Sequence, residues 1–229
     1  MTKLLEKFKN QPRGQSFIEL TGVFIVLMII FTGVVELGFF LNVYLDVIDA
    51  GREAARNANT YDLYKIESDG SKTLSNLVFD EAAKIAWNTM NPGCQGLLKD
   101  KLVEPIPPAC DMRVPFDPTT GYDDIVITVL SYDGTLIRLP GPAVTPPGGP
   151  GYWNRFDNQG SEITDAELSS LGLDPSALST GMIMVEIYYQ HYQMLGLPIL
   201  SNFVPNPIPM HTYSIMPYPS ADPTPTPLP

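Results

Sequence analysis

The chain has 229 residues, enough for one ordinary domain with accessories and too few for a large multi-domain enzyme. Its 25 acidic against 14 basic side chains give a formal charge of -11, which excludes the basic footprint that binding a phosphate backbone requires. Two cysteines, outside any CxxC pair, exclude a zinc or iron–sulfur module and a disulfide-stapled miniprotein.

The charge is unevenly placed. Lys3, Lys7, Lys9 and Arg13 lie in the first fourteen positions, opposed only by Glu6, so residues 1–14 form a basic leader on a strongly acidic chain. From Leu20 to Val35 no residue is charged. After Glu36 the apolar run resumes through Leu45. As a helix these 26 positions span about 39 Å, against roughly 30 Å of bilayer hydrocarbon. A cleavable secretory core is about 7–15 residues long and ends at a small-residue site, which this run does not. The reading is a single-pass helix in the cytoplasmic membrane. The positive-inside bias keeps the leader cytoplasmic and sends the following residues outward. The helix is expected to continue beyond the membrane, because Val47, Ile48, Gly51, Ala54, Ala55 and Ala58 share one face. Asp49–Arg52 and Glu53–Arg56 form acid-first i,i+3 pairs on the remainder. Residues 15–60 are thus a transmembrane helix with an amphipathic extension.

At the leader junction the sequence reads Arg13-Gly14-Gln15-Ser16-Phe17-Ile18-Glu19-Leu20. A basic leader ending in glycine, with a glutamate five residues on, resembles the processing signal of prepilins. That resemblance implies cleavage between Gly14 and Gln15 by a membrane prepilin peptidase. Glycine, lacking Cβ, admits close approach of a protease to the backbone. A carboxylate at Glu19 costs about 2.5 kcal/mol or more inside a bilayer and calls for a partner. The new amine at Gln15 of an adjacent subunit would supply one. The unprocessed alternative leaves Glu19 at the cytoplasmic membrane boundary, snorkelling or solvated.

The resemblance becomes more specific over residues 13–58. Glu19, the second glutamate in Val35-Glu36-Leu37-Gly38, and Ala50-Gly51-Arg52-Glu53-Ala54-Ala55-Arg56 are similar to the TadE-like family of tight-adherence pilus systems. The family resemblance implies a minor pilin or pseudopilin with a structural role. Its implied partners are other pilin subunits, the prepilin peptidase, the inner-membrane assembly platform and membrane lipid. Many members carry a proline in the apolar segment, whereas here none lies between Pro12 and Pro92, so no kink is inferred. Gly22, Gly33 and Gly38 suit close helix packing within a membrane. Glu36 has two readings of equal weight: ionisation at interfacial depth, or a polar contact between packed helices.

Residues 61–216 are expected to form an extracytoplasmic α+β domain, pilin-like, with a helix on a small antiparallel sheet. Leu74–Asn91 reads as a helix burying Leu77, Val78, Ala82, Ile85, Ala86 and Trp87, stopped by Pro92-Gly93. Ile125–Ser131 and Thr135–Leu139 flank Tyr132-Asp133-Gly134, the chemistry of a tight hairpin turn. Pro/Gly-rich residues 139–151 read as a surface loop. Thr164-Asp165-Ala166-Glu167 fits a capping box opening a short helix that Gly172 closes. Met182–Leu195 is a long strand with Ile183, Val185, Ile187 and Tyr189 on one parity and Glu186 and Gln190 on the other. Met210–Met216 supplies a last strand, and the Pro-rich tail 217–229 is expected to be disordered.

Cys94 and Cys110, on the oxidising side of the membrane, suit a disulfide contributing about 3 kcal/mol. The segment from Asp157 to Glu167 lacks calcium-loop spacing, with Arg155 in the first-ligand position and Glu162 where an aliphatic belongs, and reads as a solvated acidic loop. His191 and His211 fall in strands, His191 as a core or edge histidine, and Asp123, Asp124 and Asp133 flank the hairpin as turn residues. No catalytic, metal-binding or cofactor motif is present in the sequence. The expectation is a structural, non-enzymatic pilin-like protein without cofactor or metal and with no nucleic-acid partner. The alternatives are a permanently anchored surface binding module and, behind it, a membrane-tethered enzyme.

Overall fold

The computed structural model describes residues 12–66, 68, 70, 72–94, 112–132, 136–139, 151–170, 181–196 and 204–221. These fall into two compact units, Met1–Asn42 with Tyr192–Asn206, and Val43–His191 with Pro207–Pro229. One uninterrupted helix, α1 (Pro12–Ala58), runs through both, as the absence of internal proline allows.

In the first unit α1 is apolar and uncovered. Its most apolar eighteen-residue window has a mean hydropathy of 2.6 and is 6% buried. Phe17, Phe24, Leu27, Phe31 and Leu37 all lie exposed. The Thr21 hydroxyl donates to the Phe17 carbonyl (2.8 Å) and that of Thr32 to the Met28 carbonyl (2.9 Å). Both polar groups are satisfied by the helix itself, as an apolar solvent demands.

In the second unit the remainder of α1 is amphipathic. Val43, Val47, Ala50, Ala54, Ala55 and Ala58 are buried at the 3.6-residue period. Ile48 is half-buried, so the stripe runs through Ala50 rather than Ile48. Small residues allow close approach: a Cβ on Gly51 would sit 3.7 Å from Ser214 Cβ and 3.8 Å from Ile187 Cδ1. On the outer face Arg56 Nη2 reaches Glu53 at 2.6 Å and Arg52 Nη1 reaches Asp49 at 3.5 Å, the expected i,i+3 pairs.

Two short strands, β1 (Tyr64–Ile66) and β2 (Lys72–Leu74), pair antiparallel before α2 (Asn76–Met90). Ser75 caps α2 by accepting the Leu77 amide at 3.2 Å. The helix buries Val78, Phe79, Ala82, Ala83, Ala86, Trp87 and Met90. Leu77, expected inside, is 51% exposed, because the buried arc is centred on Phe79 and Ala83. Ile85 is half-buried at its margin. The main sheet is antiparallel and comprises β3 (Asp124–Tyr132), β4 (Leu136–Leu139), β5 (Trp153–Asn154), β6 (Met182–His191) and β7 (Ile208–Pro217). Its order is β4-β3-β6-β7, with β5 also on β3. The β3–β4 hairpin pairs Tyr132 with Leu136, and its Asp133-Gly134 turn lies outside the described residues.

Register decides what each face of β6 meets. Ile183, Val185 and Ile187 stand beside Val129, Ile127 and Ile125 on β3, and Ile187 Cδ1 reaches toward Gly51 of α1. Tyr189 stacks on Phe116, which meets Trp87 of α2 edge-on. The other parity was expected to be polar. It is instead covered by α3 (Asp165–Ser170) and the chain preceding it, where Leu168 packs with Leu130, Met182 and Met184. Consequently Glu186 is fully buried. The capping box at α3 is reciprocal: the Thr164 amide donates to Glu167 Oε2 (2.7 Å), and the Glu167 amide donates to Thr164 Oγ1 (3.3 Å). Gly172 lies outside the described residues. The Pro-rich tail departs from expectation at its start. Tyr218 is buried, its hydroxyl donating to the Tyr61 carbonyl (2.8 Å), and Pro219–Ala221 makes a 3-10 turn with Ala221 buried. One aromatic ring with a buried acceptor is enough to hold that segment.

Candidate functional site

Along the apolar part of α1 the sequence-derived residues take distinct places. Pro12 opens the helix, so the backbone of Gly14 and Gln15 lies in its first turn. The first N–H groups of a helix have no intrahelical acceptor, which makes this turn the most readily unwound. Glu19 is exposed on the helix side, one turn further on. Gly22 opens an apolar recess lined by Val23, Val26, Leu27 and Ile30. A Cβ at Gly22, Gly33 or Gly38 would meet nothing within 4 Å. Among the described residues these glycines pack against no other part of the chain.

Glu36 makes a contact that neither sequence reading named. It is 9% exposed, and its two oxygens accept the backbone N–H groups of Met194 (2.7 Å) and Leu195 (2.9 Å) in the connection between β6 and β7. Charge-assisted bonds to two adjacent amides are what a carboxylate in an apolar setting needs. The signal was present in sequence only as a glutamate without a partner; the partner lies 158 positions away.

In the motif Arg52-Glu53-Ala54-Ala55-Arg56 the two alanines are buried and the charged residues form the outer surface, directly after Gly51, which lies against Ser214 and Ile187 of the sheet. The motif is thus a buried small-residue stripe with a solvated back. Cys94 is buried and disulfide-bonded; Cys110, the chain's other cysteine, lies outside the described residues.

The polar groups buried in the sheet domain are structural in geometry. The Glu162 amide donates to Glu186 Oε1 (3.1 Å) and to the Tyr188 hydroxyl (3.1 Å), which meets the Gly160 carbonyl at 2.8 Å. His211 Nε2 lies 3.1 Å from Glu186 Oε1, and its ring stacks on Tyr188 with centroids 4.4 Å apart. Burial raises the Tyr188 phenol well above the ordinary tyrosine range, and the Glu186 charge adds to the rise. Asp124, expected as a turn residue, instead accepts four amides, those of Ile125, Phe156, Asn158 and Gln159. Asp123 accepts those of Asp117 and Gln190. Burial pushes Asp123 up to about 6 despite these donors. The segment near Asp157 is therefore a loop wrapped around Asp124, with Arg155 buried and paired to Asp80 at 2.7 Å. Among the described residues no three metal-ligating side chains converge.

The arrangement defines a class: a protein with one N-terminal apolar helix suited to single-pass membrane anchoring, carrying an α+β domain with an antiparallel sheet. Residues 14–56 match the family model described as TadE-like protein, the segment that holds Gly14, both glutamates and the alanine-rich motif. No curated protein and no solved structure matches the chain.

Proposed function

We propose that this protein is a minor pilin or pseudopilin of a tight-adherence pilus system, cut between Gly14 and Gln15 by a prepilin peptidase and structural in role. The observation that carries the reading is the coincidence of the TadE-like match at 14–56 with a helix whose most apolar window is 6% buried among the described residues. Helices in a bilayer associate by packing at small residues and by polar pairing, since lipid supplies no hydrophobic drive. Gly22, Gly33 and Gly38, which meet no other described part of the chain, and Glu19, exposed on the same helix, would serve that purpose. In this reading chemistry is done on the protein at its leader, not by it. The membrane peptidase, other pilin subunits and the assembly platform are its partners, with the leader cytoplasmic and the sheet domain outside.

The N-terminus of the mature protein tests this. Edman sequencing or intact-mass analysis of native material should return Gln15 as the first residue; an intact Met1 would leave a permanently anchored surface module. Gly14→Val should block processing without preventing membrane insertion.

A further inference from the structure

The connection between β6 and β7 carries no charged residue and no histidine from Tyr192 to Met210. Within its described part Tyr192, Met194, Leu195 and Val204 are all exposed, Met194 by 67%. Four exposed apolar side chains in one connection are costly in water. The connection belongs to the same compact unit as residues 1–42 of the chain, and Glu36 ties it to the side of α1. Nine uncharged residues, 37–45, lie between Glu36 and Asp46, about 14 Å of helix. The tied backbone therefore lies beside a stretch of α1 that is still apolar on its outward side.

Backbone can enter a lipid environment only where its polar groups have partners. Here the Met194 and Leu195 amides donate to Glu36, and the Gln193 amide donates to Asn206 Oδ1 (3.1 Å). The Gln193 side-chain amide lies 3.3 Å from the Val204 carbonyl. We infer that residues 192–196 of the β6–β7 connection form a second membrane-contacting element, laying Met194 and Leu195 into the outward leaflet beside α1, with Glu36 as its tether. Its partner is bilayer lipid. The arrangement gives an acid within the apolar run a purpose inside one chain, and it rests on α1 crossing a bilayer, not on the pilin reading.

The test uses the full chain in vesicles of phosphatidylethanolamine and phosphatidylglycerol, with an environment-sensitive fluorophore on Met194→Cys. Ile66→Cys, exposed in β1, is the control. A nitroxide carried on lipid acyl chains should quench the label at 194 several-fold more than at 66, and aqueous iodide should do the reverse. In Glu36→Ala that preference should collapse while the protein stays in the membrane after alkaline carbonate extraction, which reads α1 insertion separately. Equal iodide quenching at both positions would overturn the inference. So would shielding at 194 from both quenchers, which would assign the connection to a protein partner. Unchanged lipid quenching in Glu36→Ala would remove the tether.

Discussion

Two neighbouring aspartates set much of the sheet domain's local order. Asp124 is fully buried and gathers four amide donors, three of them from residues 156–159, which fold over the sheet. Asp124→Ala strands those donors, and each unsatisfied buried group costs about 1–3 kcal/mol before relaxation. The expected loss is about 3 kcal/mol or more in urea unfolding, with Asp124→Asn losing less because one oxygen remains. Asp123 adds a pH dependence of definite sign. Its folded pKa, about 6, lies above the ordinary 3.8, so between those values the folded state holds a proton that the unfolded state has released. Stability from this group is present below about pH 4 and lost as pH rises to 6. Asp124 is shifted upward as well, by burial working against its four donors, and acts in the same direction. Melting temperature measured from pH 4 to 7 should fall less steeply in Asp123→Asn than in the parent; identical slopes would remove the assignment.

At the scale of elements, α1 and the sheet meet through the smallest possible side chains. A methyl at Gly51 makes ordinary contacts of 3.7–4.0 Å, and alanine has about 1 kcal/mol better helix propensity. Gly51→Ala should therefore be neutral or slightly stabilising, while Gly51→Leu should cost about 1–3 kcal/mol by overpacking against Ile187 and Ser214. Thermal unfolding of the two variants distinguishes them. The elements themselves were largely legible. Periodicity located both long helices, β-branched runs located β3 and β4, a long aromatic, β-prone run located β6, and Thr164 with Glu167 announced α3. What periodicity missed came from long-range cover. The even parity of β6 carries Glu186 and Gln190 and looks like a solvent face, until residues 151–170 are laid over it. Asp124 and Glu36 likewise appear as a turn residue and a stray membrane acid, because three of the four Asp124 donors lie more than thirty positions away and both Glu36 donors more than a hundred and fifty. No local pattern encodes such a partner, since any backbone amide can serve.

For the molecule as a whole, the change from membrane segment to folded domain falls inside a helix. The sequence suggests a domain starting near residue 61, after α1 ends, but compactness places residues 43–58 with the sheet. Six buried side chains, from Val43 to Ala58, lie on that part of α1. Removing them strips the odd-parity face of β6 of the cover at Gly51, with apolar area lost at about 25 cal/mol per Å². A fragment beginning at residue 43 should therefore unfold cooperatively in urea. One beginning at residue 61 should give no cooperative transition and should bind a hydrophobic dye. The fragment from 43 keeps Asp46, whose largely buried carboxylate accepts from the half-exposed Arg113 Nη2 at 2.7 Å. If both fragments fold equally well, the amphipathic half of α1 is a stalk only. If only the longer one folds, the alanine-rich motif is part of the domain core.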